Sequence, residues 1–274
     1  MKQLYNIFMP AFTPFYDASK KTYMGVYVAW IIIIGLLWVN APVLWPTPSE
    51  IGHQLWAYLG FSFTGGFHMN DSGFYLEIFS SLVLTITAMV ISIAIACFLA
   101  YSSSTAAFKP IANIVASLRF MSMLGFLFLF MSLFHDAGKV KIVLLVYSIV
   151  SFFTLSLVTM MSRIPQKEYD LWTTLRYSKW EQLYEIVIYG KADYIIEAIS
   201  ANFAIAWIMM TVAESKAMSE GGLGVLLFNA DKYNKLILIF SIQIVIYVLG
   251  RLSSVGLQKL RYTLFPYTAL AEKK

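Results

Sequence analysis

Long apolar runs alternate with short polar segments along almost the whole chain. Six of these runs approach or exceed the roughly 20 residues that an α-helix needs to cross a hydrocarbon core of about 30 Å. They extend over residues 25–40, 74–101, 111–134, 140–161, 194–213 and 236–257. The pattern predicts an all-α polytopic membrane protein with six transmembrane helices.

The segments outside these runs form two ends and one long loop. Residues 1–24, which contain Pro10 and Pro14, are predicted to lie in the cytoplasm or at the membrane interface. The first run is predicted to be a retained anchor, because no small-residue cleavage site ends it. Residues 41–73 contain no Lys or Arg, which favours an extracytoplasmic loop, with one short helix after Pro48. Residues 25–261 then form a single transmembrane domain and residues 262–274 a cytoplasmic tail.

Lys and Arg are distributed unevenly between the two sides of the predicted membrane. If both termini are inside, fourteen lie on the cytoplasmic side and Arg119 lies within a run. Five lie outside, namely Lys139, Lys141, Lys216, Lys232 and Lys235. Because basic residues are enriched in cytoplasmic loops, this count predicts that both termini are cytoplasmic.

Composition excludes several classes of protein. Hydrophobic residues make up 59% of the chain and charged residues 13%, whereas an ordinary soluble domain has about 25% charged residues. The net charge of +5 comes from residues spread between the apolar runs, which favours contact with membrane lipids and argues against a nucleic-acid partner. Cys97 is the only cysteine, so no intrachain disulfide can form.

The sequence contains no motif for catalysis or for binding a cofactor. The histidines His53, His68 and His135 lack the spacing of metal ligands. No sequence of the GxSxG, HExxH or GxxxxGK type occurs. The glycines of SEGGLG follow an apolar run instead of a strand, which predicts a tight re-entry of the chain and not a phosphate loop. No catalytic residue, metal or bound cofactor is expected on this chain.

Few polar side chains lie inside the apolar runs. Glu77, Glu197 and Glu214 lie near the ends of runs, which favours interfacial charges over the buried carboxylates of an ion-coupled transporter. Arg119 lies inside the third run, and both contact with a polar interior and snorkelling towards the cytoplasmic headgroups fit it. The other polar groups inside runs are Asn113, Ser122, Asn202, Thr211 and Gln243.

The cytoplasmic segment 162–191 is the most informative part of the chain. It is too long for a simple turn, and its apolar residues recur at spacings of three and four, which predicts an amphipathic helix. Two interpretations stay open, an interfacial helix resting on lipid and a docking element for a soluble partner. Its mixed charges favour docking, because a lipid-facing helix usually has a more uniformly basic polar face.

Motifs along most of the chain occur in a characteristic order. They are WPTPSEI (45–51), LFHDAGKVKI (133–142), DLW (170–172), SKW (178–180), AIAWIMMTVAES (204–215), GGLGVLL (221–227) and KLRYTLFPY (259–267). DLW occupies the place of a Glu-Ala-Ala motif and SKW that of a Ser-Arg-Trp. In order and spacing, the set resembles the permease subunits of bacterial ABC importers, in the group that includes nitrate, taurine and aliphatic sulfonate systems.

The chain also departs from the pattern of this family at three places. Arg176 stands where the family has the glycine of its coupling motif, and Tyr189 stands where it has a proline. Residues 121–123 replace a proline-containing stretch of the third span.

The resemblance implies a multi-pass permease subunit of the bacterial inner membrane. Its implied partners are a cytoplasmic ABC ATPase that binds ATP and Mg, a second permease copy, and an extracytoplasmic solute-binding protein or lipoprotein. The ATPase would dock on the cytoplasmic segment through Asp170, Leu171, Trp172, Leu175, Arg176, Ser178, Lys179 and Trp180. The translocation path would be lined by Arg119, Asn113, Ser122, Asn202, Thr211 and Gln243. An anionic solute would suit Arg119.

Two other classes of function compete with this one. A proton- or sodium-coupled secondary transporter usually has internal repeats, and the two halves of this sequence show no convincing self-similarity. A membrane scaffold subunit without transport activity fits the unusual residues Arg176 and Tyr189. Copurification with an ATPase separates the three classes.

Overall fold

A computed structural model describes residues 20–39, 46–59, 71–217 and 221–267. Every regular element in these ranges is a helix, in agreement with the predicted all-α class. Most of the predicted N-terminal segment, part of the predicted outer loop and the end of the tail lie outside the described residues. Contacts divide the chain into two units, Met1–Ala57 and Tyr58–Lys274, which are described separately.

The first unit contains helix α1 (Lys20–Val39) and the start of helix α2 (Pro48–Leu59). The apolar part of α1, Met24–Val39, is shorter than the candidate spans of the second unit. The short helix expected after Pro48 is present as α2. Its first turn is closed by a reciprocal cap, because the Thr47 N–H donates to Glu50 Oε2 (2.8 Å) and the Glu50 N–H donates to Thr47 Oγ1 (3.4 Å).

The described residues of the second unit form nine α-helices. They are α3 (Asp71–Ser102), α4 (Lys109–Ser117), α5 (Met123–Leu133), α6 (Ala137–Ser162), α7 (Gln166–Thr174), α8 (Lys179–Gln182), α9 (Ala192–Ala217), α10 (Leu223–Lys232) and α11 (Leu236–Leu264). A 3₁₀ turn, Leu118–Phe120, follows α4, and a π-helical segment, Leu183–Tyr189, follows α8.

Four helices are long and apolar enough to cross a membrane. They are Phe74–Ser102, Ala137–Ser162, Ala192–Ala217 and Leu236–Leu264, at the positions of the second, fourth, fifth and sixth predicted runs. The described residues therefore contain four candidate spans, or five if one bent helix pair is counted as a span. Six spans remain a prediction.

The third predicted span, residues 111–134, is not one helix. The chain bends by 110° between Lys109–Phe120 and Met123–Leu133. Met121 has an extended backbone, and Ser122 starts α5 as its N-cap, because its Oγ accepts the Leu124 N–H at 3.3 Å. The prediction of a continuous helix is wrong here because a local cap starts a second helix inside an apolar run.

Helix α6 lies at the centre of the second unit and packs against α3, α4, α5 and α9. Half of its most apolar stretch is buried inside the protein, against 17% for α11. Ala96 and Ala100 of α3 are fully buried against Phe153 and Leu157 of α6. Such small side chains allow the axes of membrane helices to approach closely.

Helices α3, α6 and α11 run in one direction and α9 runs in the opposite one, so the ends of the long helices form two groups. The C-terminal parts of α3 and α6 pack together with Ile195 and Ala198 near the start of α9. Arg261 near the end of α11 forms an ion pair with Glu197 (2.9 Å) and approaches Asp193 (3.9 Å), both in the first turns of α9. We call this the hairpin end, because α7 and α8 lie between α6 and α9 there. Helix α10 and the start of α11 lie at the opposite end.

Candidate functional site

Helix α7 ends in a tight turn centred on Arg176. The Tyr177 N–H donates to the Trp172 carbonyl (3.1 Å), and the Arg176 N–H donates to the Thr173 carbonyl (3.0 Å). The rings of Trp172 and Tyr177 pack edge to face, with their centroids 4.7 Å apart. This is a Schellman motif with its usual apolar contact. Arg176 occupies the left-handed position of the motif, with φ of 63°.

A residue with a left-handed backbone conformation at this position is most often a glycine, which has no Cβ to clash with the backbone. Arg176 therefore adopts a backbone conformation that glycine favours, although the residue is an arginine.

Helix α8 begins three residues after Arg176, and Ser178 is the N-cap of its capping box. The Glu181 N–H donates to Ser178 Oγ (3.3 Å), and the Ser178 N–H donates to Glu181 Oε2 (2.6 Å). The backbone hydrogen bond from Ser178 holds the pKa of Glu181 below its ordinary value, because it stabilises the charged carboxylate. The predicted continuous amphipathic helix is thus wrong. The segment is a helix, a turn and a second helix, and we call residues 166–189 the coupling hairpin.

The inner side of the coupling hairpin is fixed by buried groups. Gln182 is buried, and its Nε2 donates to Thr173 Oγ1 (3.1 Å) and to the Tyr177 carbonyl (3.0 Å). Ile186 and Val187 of the π-helical segment are also buried. These contacts connect the two helices of the hairpin and attach the second one to the helix bundle.

Large apolar side chains remain exposed on the outer side of the hairpin. Leu171, Leu175 and Trp180 are 61%, 58% and 70% exposed. Leu171 and Leu175 are four residues apart and share one side of α7. Of the other predicted docking residues, Asp170, Arg176, Ser178 and Lys179 are exposed as well. Trp172 is partly covered by Tyr177, so it stabilises the turn.

The six predicted path residues lie on different elements. Asn113 is exposed on α4, Gln243 is exposed on α11, and Ser122 caps α5. Thr211 of α9 donates to the Ile208 carbonyl, and Asn202 is buried with its Nδ2 donating to Ser156 Oγ of α6 (3.1 Å). Among the described residues, no hydrogen bond joins any two of the six. Their convergence on one path within a single chain stays a prediction.

Arg119 lies on the 3₁₀ turn, directly before the bend between α4 and α5. Its guanidinium carbon is 4.5 Å from the centroid of the Phe120 ring. Its Nη1 is buried and has no hydrogen-bond partner among the described residues. Arg119 is therefore a cation at a break in an apolar helix, with donor capacity that the described part of the chain leaves unused.

A cluster of buried polar groups at the opposite end was not predicted from the sequence. Glu214 of α9 is fully buried, and its carboxylate accepts hydrogen bonds from Ser81 Oγ of α3 (2.7 Å) and from the Gly224 N–H at the start of α10 (2.8 Å). Ser81 Oγ in turn accepts the Leu223 N–H (2.8 Å). Glu77 of α3 accepts the Gly222 N–H.

Lys141 and the glycines complete this cluster. Lys141 of α6 is buried and donates to the Gly221 carbonyl at 2.9 Å. Gly221 and Gly222 have φ of 77° and 117°, and a Cβ on Gly224 would lie 2.5 Å from the Thr211 carbonyl oxygen. The glycines therefore let α10 approach α9 closely, with its N-terminal N–H groups on two carboxylates. The expectation that Glu77 and Glu214 are interfacial charges is wrong for Glu214, because it is enclosed by α3, α9 and α10.

Comparison with known proteins adds no family assignment. No family model matches the chain, and a search of curated proteins finds no match.

Proposed function

We propose that this chain is the membrane-spanning permease subunit of an ATP-binding-cassette importer. The observation that carries the proposal is the coupling hairpin, which exposes Leu171, Leu175 and Trp180 beyond the ends of two membrane helices. Isolated exposed apolar residues are common, but several on one short, well-capped segment favour a protein contact.

The local structure of the hairpin suits docking on a soluble protein. Its backbone is held by the Schellman turn, the capping box and the Gln182 hydrogen bonds, so little order has to be gained on binding. A short helix laid in a groove is held by a few apolar side chains at spacings of three or four. Leu171 and Leu175 fit this pattern, and Asp170, Arg176 and Lys179 would surround the contact with charges that set its orientation.

In this proposal ATP is hydrolysed on a separate cytoplasmic subunit. The chain supplies the solute path together with a second permease copy, and an extracytoplasmic binding protein or lipoprotein delivers the solute. The protein resides in the bacterial inner membrane with both termini in the cytoplasm. The large apolar surface of α11, only 17% buried in its most apolar stretch, suits contact with lipid or with the second copy.

An ion-coupled secondary transporter would need a carboxylate in the membrane, and Glu214 is the one fully buried there among the described residues. Its oxygens accept hydrogen bonds from Ser81 and from the first turn of α10. This arrangement gives Glu214 a structural role in holding α10, which favours the permease assignment.

The test is a double substitution on the outer side of α7. Leu171→Asp with Leu175→Asp should release an Mg-ATP-hydrolysing subunit that copurifies with the wild-type chain in fixed ratio. Each change removes about 1.5 to 3 kcal/mol of apolar burial and adds a charge that must be desolvated. Gln166→Asp with Lys167→Gln is the matched control, since it makes the first two residues of the same helix more negative by the same two charges and keeps both leucines.

Copurified ATPase activity should be lost in the leucine double variant and kept in the control, with both chains inserted in the membrane. Retention of the ATPase by the inserted leucine variant would refute docking on this surface. Absence of any ATPase from the wild-type preparation, with uptake driven by a proton gradient, would identify a secondary transporter instead.

A further inference from the structure

A cleft of about 670 Å³ lies between α6, α7 and α9 at the hairpin end. One wall is a single side of α6, where the polar residues Ser156, Thr159 and Arg163 recur at spacings of three and four. Leu155 and Met160 of the same helix provide apolar surface beside them. We call this space the interfacial cleft.

The charged groups of the interfacial cleft leave one cation unpaired. Lys191 Nζ lies 3.2 Å from Glu168 Oε1, so these two opposite charges offset each other. Arg163 is exposed, and among the described residues no carboxylate lies within ion-pair distance of its guanidinium. The Thr159 hydroxyl likewise donates no hydrogen bond within the described part of the chain. The cleft therefore presents donors and a positive charge to a ligand that carries a negative one.

The position of the cleft relative to α6 indicates what kind of anion fits. Arg163 directly follows the last residue of a candidate membrane span, which is where lipid headgroups lie. Leu155 lies eight residues earlier in α6, roughly 12 Å deeper at 1.5 Å per residue. A ligand with an anionic head at Arg163 and an apolar chain along Leu155 and Met160 matches both parts of the cleft. Basic pockets between membrane helices on the cytoplasmic side are suited to anionic headgroups.

We propose that the interfacial cleft binds an anionic phospholipid, with its phosphate on Arg163 and an acyl chain against Leu155 and Met160. Free phosphate shares the chemistry of the headgroup, but it would leave the apolar wall uncovered. Because α7 begins three residues after Arg163, a bound lipid fixes the start of the coupling hairpin relative to the membrane. The proposal requires only that α6 and α9 lie in a membrane, so it does not rest on the importer assignment.

The test measures lipid preference of the purified full chain by native mass spectrometry and by thermal unfolding in detergent. The probes are dioleoyl phosphatidylglycerol, dioleoyl phosphatidylcholine and glycerol 3-phosphate. The wild type should retain phosphatidylglycerol over phosphatidylcholine by about tenfold, the usual effect of one charge-assisted contact. Arg163→Gln should abolish this preference. Lys167→Gln, which removes an exposed charge four residues further along the chain and outside the cleft, should keep this preference.

Three results would overturn the proposal. The first is equal retention of the two lipids by the wild type. The second is an equal loss of preference in Arg163→Gln and Lys167→Gln, which would indicate general attraction to a basic surface. The third is displacement of phosphatidylglycerol by millimolar glycerol 3-phosphate, which would indicate a site for small soluble phosphates.

Discussion

Arg176 is the residue whose identity fits its backbone least well. A non-glycine residue in the left-handed region loses about 1 to 2 kcal/mol relative to the right-handed one, and Arg176 has φ of 63°. Arg176→Gly should therefore stabilise the Schellman turn by about 1 kcal/mol. The measurement is hydrogen exchange at the Tyr177 amide, which donates to the Trp172 carbonyl. Its protection should rise about fivefold.

Arg176→Ala is the matched control for this experiment, because alanine removes the charge and the long side chain but keeps the Cβ. The amide of Tyr177 should gain no protection in this variant. An equal gain in the alanine and glycine variants would mean that the arginine side chain, and not the backbone conformation, destabilises the turn.

Glu214 is expected to contribute much more to stability than another glutamate on the same helix. Glu214→Ala leaves the Ser81 hydroxyl and the Gly224 N–H without their buried acceptor, at a cost of about 2 to 3 kcal/mol. The midpoint of thermal unfolding in detergent should fall by about 5 °C or more.

Glu197→Ala is the comparison, since Glu197 is half exposed and only forms an ion pair with Arg261. That change should cost at most about 1 kcal/mol. Equal shifts of the midpoint in the two variants would contradict a structural role for the buried Glu214 cluster.

At the scale of the helix, the break at Met121 and Ser122 positions Arg119. If Arg119 faces a water-filled path, a cysteine there should react with a charged methanethiosulfonate reagent, because reaction requires a hydrated thiolate. Ile114 of α4 is 61% exposed on the isolated chain and suits contact with lipid. In a Cys97→Ala background, Arg119→Cys should therefore react and Ile114→Cys should not. If Arg119→Cys is no more reactive than Ile114→Cys, Arg119 does not line an aqueous path.

The elements differ in how far the sequence alone predicts them. The second, fourth, fifth and sixth runs are recognised because a membrane span needs about 20 apolar residues, whatever its neighbours are. The bend between α4 and α5 is not recognised from the sequence, because Met121 and Ser122 lie in an apolar run without proline and hydropathy does not detect a backbone break. The turn in the coupling hairpin is not recognised either, because Arg176 occupies the position where a glycine usually marks the end of a helix.

The Glu214 cluster shows a different limit of sequence reasoning. Ser81 and Glu214 are 133 positions apart in the chain, and their contact exists only after α3 and α9 have packed. The glycines at 221, 222 and 224 are the available signal, and their spacing predicts a tight re-entry of the chain. It does not indicate that α10 then lies against a carboxylate of α9.

At the scale of the whole molecule, polar contacts connect the helices of the second unit at both ends. Glu77, Glu214 and Lys141 connect α3, α6 and α9 to α10 at one end. Arg261 connects α11 to α9 at the other. Between the two ends most contacts are apolar, although the hydrogen bond from Asn202 to Ser156 joins α9 to α6. Helix α6 supplies the most enclosed surface. The two ends are therefore chemically distinct, and the coupling hairpin lies at only one of them.

The distribution of Lys and Arg predicts which end faces the cytoplasm. The excess of fourteen over five predicts that the coupling hairpin lies inside and the turn between α10 and α11 outside. Tyr233 in that turn and Lys179 in the hairpin are both exposed, so cysteines at either position are accessible from their own side. In a Cys97→Ala background, an impermeant maleimide should label Tyr233→Cys in intact cells. It should label Lys179→Cys only after the membrane is permeabilised. Labelling of Lys179→Cys in intact cells would show that the orientation is the reverse of the predicted one, and the hairpin could then not contact a cytoplasmic ATPase.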